Sequence, residues 1–387
     1  MGTVLEASDG EAIAVGMNPW AAEEILPVSR PLLPPVDRIL AYLAHVDGAR
    51  RYANHGDLHN RFQARLTADF SIDARAVLAA SGTAALAGAI LAVAGRATRR
   101  KPICLVPAHT FIGTLSAIEM CGFTPYLVDV DPLSWTLDAR ACADHPMISR
   151  AGLVVPVAAY GREVEQQPWI AFTQATGVPV AIDGAAAFEA MVARPDRLIG
   201  PIPVAVSFHA TKSFGVGEGG AVFCSDGSLA ASVQQSLNFG YTLERVSRRP
   251  AINGKMSEYH AAVGLAELDG WIGKLDRYGR AAQLYRAAAG SHGLRIHLAP
   301  SLASCYALVE ACSAAEGARI IAALTRLRIG CRRWYGGGLH AHPYCARFAR
   351  DALRRTDDLT QRLIGIPMAV DLSEQEIGWV ADTIASA

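Results

Sequence analysis

Short apolar runs alternate with longer mixed segments through most of this chain. The runs at 103–107, 126–130, 153–157, 178–183, 204–209 and 220–224 are rich in Val, Ile, Leu and Ala and read as strands buried on both faces. Between them, 110–120 and 166–176 have helical length and stop near Gly122 and Gly177, a residue type suited to ending a helix. Crossovers of that length predict parallel neighbours, so the fold class is α/β: a mostly parallel central sheet sandwiched by helices. After Ser257 the pattern becomes one long Ala-, Leu- and Arg-rich helical stretch to about Ala289, a bridge into a smaller C-terminal α+β lobe. Residues 373–384 predict a closing amphipathic helix with Ser373 as N-cap and Glu374 and Glu376 in its first turn. Residues 1–30 lack clear periodicity and run into the proline-rich stretch 27–35, so they read as an arm. The expected division is an arm at 1–30, a large domain at 31–265 and a small domain at 266–387 that includes the bridging helix.

Composition narrows the function. With 387 residues, 51% of them hydrophobic, the chain can bury a large core and a lesser one. Lys and Arg (36) balance Asp and Glu (36), so the basic excess that drives nucleic-acid binding is missing and a small molecule is the expected ligand. The eight cysteines are scattered without zinc or redox spacing and read as reduced thiols, with no metal site. No charged leader with a cleavage site opens the chain, and Glu6 stands where a myristoylation signal needs Ser or Thr; a cytoplasmic location is expected. Residues 76–95 carry no charge and have the length of a membrane span. They hold Ser81, Gly82 and Thr83 and are mostly Ala and Gly, which favours a strand end, a turn and a buried helix.

Three pieces carry candidate chemistry. Lys212 ends the stretch Ser207-Phe208-His209-Ala210-Thr211-Lys212 and leads into Gly215, Gly217, Gly219 and Gly220, just past the carboxyl end of a predicted strand, where open α/β sheets bind ligands. Poor solvation there lowers an amine's pKa and makes it a nucleophile toward an aldehyde; the alternative is a surface lysine in a glycine-rich turn. Asp183 ends the apolar run Val180-Ala181-Ile182, and its buried charge calls for a cation, unless it caps the next helix. Ser81-Gly82-Thr83 at a helix start offers backbone amides and a hydroxyl to a phosphate, or is an ordinary N-cap.

In this order and spacing the three pieces resemble the DegT/DnrJ/StrS family of sugar aminotransferases, enzymes of the fold-type-I aspartate aminotransferase superfamily that depend on pyridoxal 5'-phosphate (PLP). The resemblance runs from about Asn54 to the C-terminus. It includes Val106-Pro107-Ala108-His109-Thr110-Phe111, Val128-Asp129-Val130-Asp131, Ala159-Tyr160-Gly161, Asn253-Gly254-Lys255-Met256-Ser257-Glu258 with Ala261-Ala262-Val263-Gly264-Leu265, and Ile366-Pro367-Met368. It implies that Lys212 forms the Schiff base with PLP and moves the substrate proton, and that Asp183 pairs with the pyridine nitrogen. It further implies that Gly82, Thr83 and Ser207 hold the phosphate and that Phe111 stacks on the ring. Asn253 and Lys255 would reach the phosphate of a neighbouring subunit in a homodimer, with Lys255 where the family writes arginine. Ala186 stands where many members carry Gln or His, which removes a hydrogen-bonding group. Tyr160, His209 and His340 are candidates for substrate contact, and Arg245, Arg248, Arg249, Arg332 and Arg333 for gripping a diphosphate.

The implied reaction is a ping-pong transfer from L-glutamate to a keto-sugar carried on a nucleoside diphosphate. Two alternatives stand beside it. One is the dehydratase branch of the family, which has histidine where this chain has Lys212; the other is a PLP-fold protein kept as a binding or regulatory module.

Overall fold

The computed structural model describes residues 24–68, 70–242 and 244–387. Seven of its strands build the sheet of the large lobe: β1 (Arg75–Ala79), β2 (Ile103–Pro107), β3 (Thr124–Val128), β4 (Ala151–Val154), β5 (Ile182–Asp183), β6 (Val204–Ser207) and β7 (Gly220–Cys224). Ladders run in the orders β3-β2-β4 and β5-β6-β7-β1. The bridges Val154 to Val180 and Val157 to Asp183 join them into one surface. Every pairing is parallel except those of β7, which is antiparallel to both β6 and β1. The reason lies in the connection. No helix separates β6 from β7, only the glycine-rich loop 208–219, which brings the chain straight back beside itself.

Two runs shift from their predicted extents. The run 178–183 forms a strand only at Ile182–Asp183, with Val180 ahead of it making an isolated bridge to Val154. The 126–130 run begins two residues earlier, at Thr124. Strand β1 is absent from the predicted runs, and it fills the strand end expected ahead of Ser81, with helix Gly82–Val93 following the turn.

Both faces of the sheet are covered. On one side, helices Gly82–Val93, Ile112–Met120 and Gly227–Leu237 bury Leu86, Ile90, Leu115, Ile118 and Val233. On the other, Phe62, Phe188, Phe208, Phe214, Phe223 and Trp271 form an aromatic cluster, with Phe188 and Phe214 centroids 4.9 Å apart and Phe208 and Phe214 5.1 Å apart. Phe208 and Phe214 bracket Lys212, so this cluster fixes where the loop carries its amine.

The small lobe is an antiparallel sheet in the order β10-β9-β8, made from β8 (Ile296–His297), β9 (Ala307–Glu310) and β10 (Leu363–Ile366) and packed by helices Ala314–Arg326 and Glu374–Ala385. The last helix carries a capping box between Ser373 and Glu376. Residues 1–23 of the predicted arm lie outside the described residues. Its end is part of the small lobe: Leu26 pairs with Ile329, Ser29 with Met368, and Leu26 is buried in that core.

Helix Glu258–His292 spans the two lobes, 35 residues and about 52 Å long at 1.5 Å per residue. Ser257 caps its start by accepting from the His260 N–H, and Gly293 ends it in the left-handed region. Glu258 does a second job. It is only 2% exposed, and its carboxylate accepts from the Leu58 N–H (2.9 Å) and the His59 N–H (3.2 Å), the orphan donors opening helix Asp57–Arg65. Gly56 lies so close that an added Cβ would stand 2.4 Å from the Glu258 carboxyl carbon.

Replacing Glu258 by Ala leaves two buried donors unpaired, and we expect a loss of about 2–3 kcal/mol of stability, read by chemical denaturation. An unchanged unfolding midpoint would contradict this role.

Candidate active site

At the carboxyl ends of β5 and β6 the two lobes enclose a cavity of about 580 Å³. Its wall holds Lys212, Asp183, Gly82, Thr83, Ser207, Phe111 and His209 from the sequence reading, together with Thr114, Glu218, Tyr306, Arg332, Trp334 and Tyr335.

Lys212 belongs to the loop 208–219, which is closed by Phe208 N–H to Gly219 O, Ala210 N–H to Gly217 O and Val216 N–H to Phe208 O, each 2.8 Å. Gly217, at φ +93°, provides the turn that lets the loop close. The lysine stem is half-buried, and its Nζ donates to the Tyr306 hydroxyl oxygen at 3.0 Å. One expectation is corrected here. Burial pushes the amine down, but Tyr306, Cys305 and Asp183 outweigh it and hold Lys212 above the ordinary lysine value. In the ligand-free site the residue is therefore an ammonium, which must shed a proton before it can attack an aldehyde.

Asp183 is 7% exposed. Its Oδ2 accepts from the Thr114 hydroxyl at 2.6 Å and its Oδ1 from the Ala185 N–H at 3.0 Å, while the Thr114 and Thr110 hydroxyls meet at 2.7 Å. It does not cap the next helix, which starts at Phe188 with Ala187 in the cap position and no side-chain cap bond. Burial raises the Asp183 carboxyl above its usual range, against the lowering effect of Thr114, Ala185 and Lys212.

Ser81 is the N-cap of helix Gly82–Val93, its hydroxyl accepting from the Ala84 N–H at 3.1 Å. Gly82 and Thr83, in the first turn, line the cavity beside Ser207. A Cβ at Gly82 would come within 2.6 Å of the Ser207 Cβ, so only glycine lets the helix start and the Ser207 hydroxyl form one cradle. Phe111, 62% exposed, stands at the N-cap of Ile112–Met120 on the cavity rim. The His209 Nδ1 lies 2.8 Å from the Thr211 hydroxyl and accepts from the Thr211 N–H at 3.2 Å, and Nε2 faces Glu218 at 3.7 Å.

Several candidates lie apart from the cavity wall. Tyr160 is buried behind it at φ +56°, stacked on Tyr335 at 4.6 Å, with its N–H donating to the Tyr335 hydroxyl. His340 pairs with Asp357 at 2.9 Å. Lys255 donates to Asn253 Oδ1 at 2.6 Å and lies over the Phe239 ring. Of the arginines, Arg332 reaches the cavity, whereas Arg333 turns to the Gln361 carbonyl and Arg248 to Glu244. Sequence reasoning missed Thr114, Tyr306, Trp334 and Tyr335. A threonine one helical turn beyond Thr110 was open to notice, but nothing in the sequence pointed across the lobes to Tyr306.

These residues fit PLP: an amine for the aldehyde, a sealed carboxylate in need of a cation, and a helix start pressed against a serine for the phosphate. The chain belongs to the DegT/DnrJ/EryC1/StrS aminotransferase family, whose model matches residues 36–385. It is 29% identical over 371 residues to Protein Rv3402c of Mycobacterium tuberculosis, covering 94% of this chain and 90% of that protein. It is also 29% identical over 245 residues to the dTDP-4-amino-4,6-dideoxy-D-glucose transaminase of Shigella dysenteriae, covering 62% of this chain and 64% of the relative. Among solved structures, DesI in the presence of its TDP-sugar product superposes with a TM-score of 0.81 at 28% identity, covering 94% and 93% of the two chains.

Because the Asp183 carboxyl is raised on folding, its stabilising contribution is complete below its unfolded-state pKa and is lost as pH rises through the folded value. As pH rises above the ordinary carboxyl range, the buried carboxyl therefore costs the cofactor-free protein stability. We expect cofactor-free Asp183→Asn to melt at or above the wild-type temperature at pH 7, with the gap narrowing as pH falls toward about 4, and to bind PLP more weakly. A lower melting temperature at pH 7 would contradict the assignment.

Proposed function

We infer that this sugar aminotransferase takes its amino group from L-glutamate and delivers it to a keto-sugar carried on a nucleoside diphosphate, with PLP as cofactor. One arrangement carries the reading: the Lys212 amine and the Asp183 carboxylate open onto a single cavity whose third wall is a helix start. When bound, PLP supplies an electron sink for a negative charge developing on the substrate carbon. Asp183 would pair with the ring nitrogen, Gly82, Thr83 and Ser207 would hold the phosphate, and Phe111 would lie against the ring. The Lys212 amine would hold and move the proton at the substrate carbon.

The cavity volume suits an extended substrate, and Arg332, over the Trp334 ring at 5.1 Å, offers a guanidinium to a carboxylate or phosphate inside it. In a homodimer, the Asn253 and Lys255 pair, next to the exposed Phe239 and Tyr241, would complete the neighbour's phosphate site. The presence of Lys212 on the cavity wall favours transamination over the dehydratase branch, and over a role confined to binding.

Purified protein loaded with PLP is expected to be yellow and to bleach when L-glutamate is added, with one keto acid released per site. Lys212→Ala should fold normally and lose transamination by several orders of magnitude. Full activity in that variant, or no colour change with any amino donor, would reject the reading.

A further inference from the structure

The hydrogen-bond partner of the Lys212 amine comes from the other lobe. Tyr306 directly precedes β9, and the segment leading to it is tied to the large lobe. The Ala303 N–H donates to Tyr160 O at 2.9 Å, and the Ser304 N–H and hydroxyl donate to the Glu189 carboxylate at 2.9 and 2.5 Å. The Tyr306 ring is held edge-on between Tyr160, at 5.6 Å, and Trp334, at 5.4 Å. A ring gripped on both sides has little freedom to swing its hydroxyl elsewhere. From the sheet side, Asp183 acts on the amine through its charge, and among the described residues the hydrogen-bond partner of Nζ is Tyr306. Residues 184–187 are Gly-Ala-Ala-Ala, and a void of about 10 Å³ lies between Ala185, Ala186, Lys212 and Cys305.

We propose that Tyr306 orients the Lys212 side chain, accepting one N–H of its ammonium across the lobe boundary so that the nitrogen faces the cavity with its lone pair once a proton is shed. The idea rests on the reading of Lys212 as the reactive amine. The groups that face this amine are Tyr306 and Cys305 from the small lobe and Asp183 from β5, with His209 and Glu218 on the same cavity wall. Tyr160 and Tyr335 stand behind Tyr306 and carry no charge at neutral pH, burial pushing both phenols up. Of the groups that hold the amine protonated against burial, Tyr306 is the foremost. Removing its hydroxyl therefore leaves burial less opposed, and the free amine appears at lower pH.

The test uses cofactor-free protein and PLP as the probe, following the rate of visible absorbance gain across a pH series, with Lys212→Ala as the blank. Tyr306→Phe keeps the ring and its packing. Ser304→Ala loosens the same segment but keeps the Tyr306 hydroxyl. We expect the capture midpoint of Tyr306→Phe to move to lower pH and that of Ser304→Ala to match wild type. Superimposed profiles for wild type and Tyr306→Phe, or equal shifts in both variants, would overturn the proposal while leaving the PLP reading standing. Wild type behaving like the Lys212→Ala blank would overturn both.

Discussion

A carboxylate with little access to water is the constraint around which this site is built. Asp183 is shut in by Thr114, Ala185 and the parallel strands beside it, and two hydrogen bonds do not match the hydration it gives up. A charge held there at neutral pH calls for a cation, and Lys212 is near enough to lower the Asp183 carboxyl by its field. The parallel pairing of β5 with β6 sets the geometry, since it brings Asp183 and Ser207 to the same edge of the sheet. The aromatic cluster under the 208–219 loop then fixes the amine above that edge.

The cavity divides its labour between lobes. The large lobe contributes the amine, the carboxylate and the helix start, all on segments locked into the sheet. From the small lobe come Tyr306, Arg332, Trp334 and Tyr335, on segments whose placement depends on how the lobes meet. Helix Glu258–His292 runs through both, and its first residue caps helix Asp57–Arg65, so the bridge is anchored at the large-lobe end by a buried charge rather than by apolar contact alone.

The sequence made much of this legible, unevenly. Strands 103–107 and 220–224 and helix 166–176 were readable to the residue, because short uncharged, mostly apolar runs and a terminal glycine are local signals. The antiparallel return of β7 was open to reading from the lack of a helix between 207 and 220, and β1 fills the strand end read ahead of Ser81, although its bounds were not read. Gly82, Asp183 and Ser207 were open to reading as candidates because each sits at an end of an element, and Lys212 because it follows a strand in a glycine-rich loop. The upward push on the Lys212 amine was not, because its foremost source, Tyr306, lies 94 residues away in sequence and joins the site only when the lobes pack. The burial of Tyr160 behind the wall, and the pairing of His340 with Asp357, likewise depend on side-chain packing that no spacing encodes.

The chain has four lysines, Lys101, Lys212, Lys255 and Lys274. Reducing the PLP-loaded protein with borohydride and mapping the modified peptide by mass spectrometry therefore asks the central question directly. The account expects a single phosphopyridoxyl group, on Lys212. The same group on Lys255, or spread over exposed amines with Lys212 untouched, would contradict it.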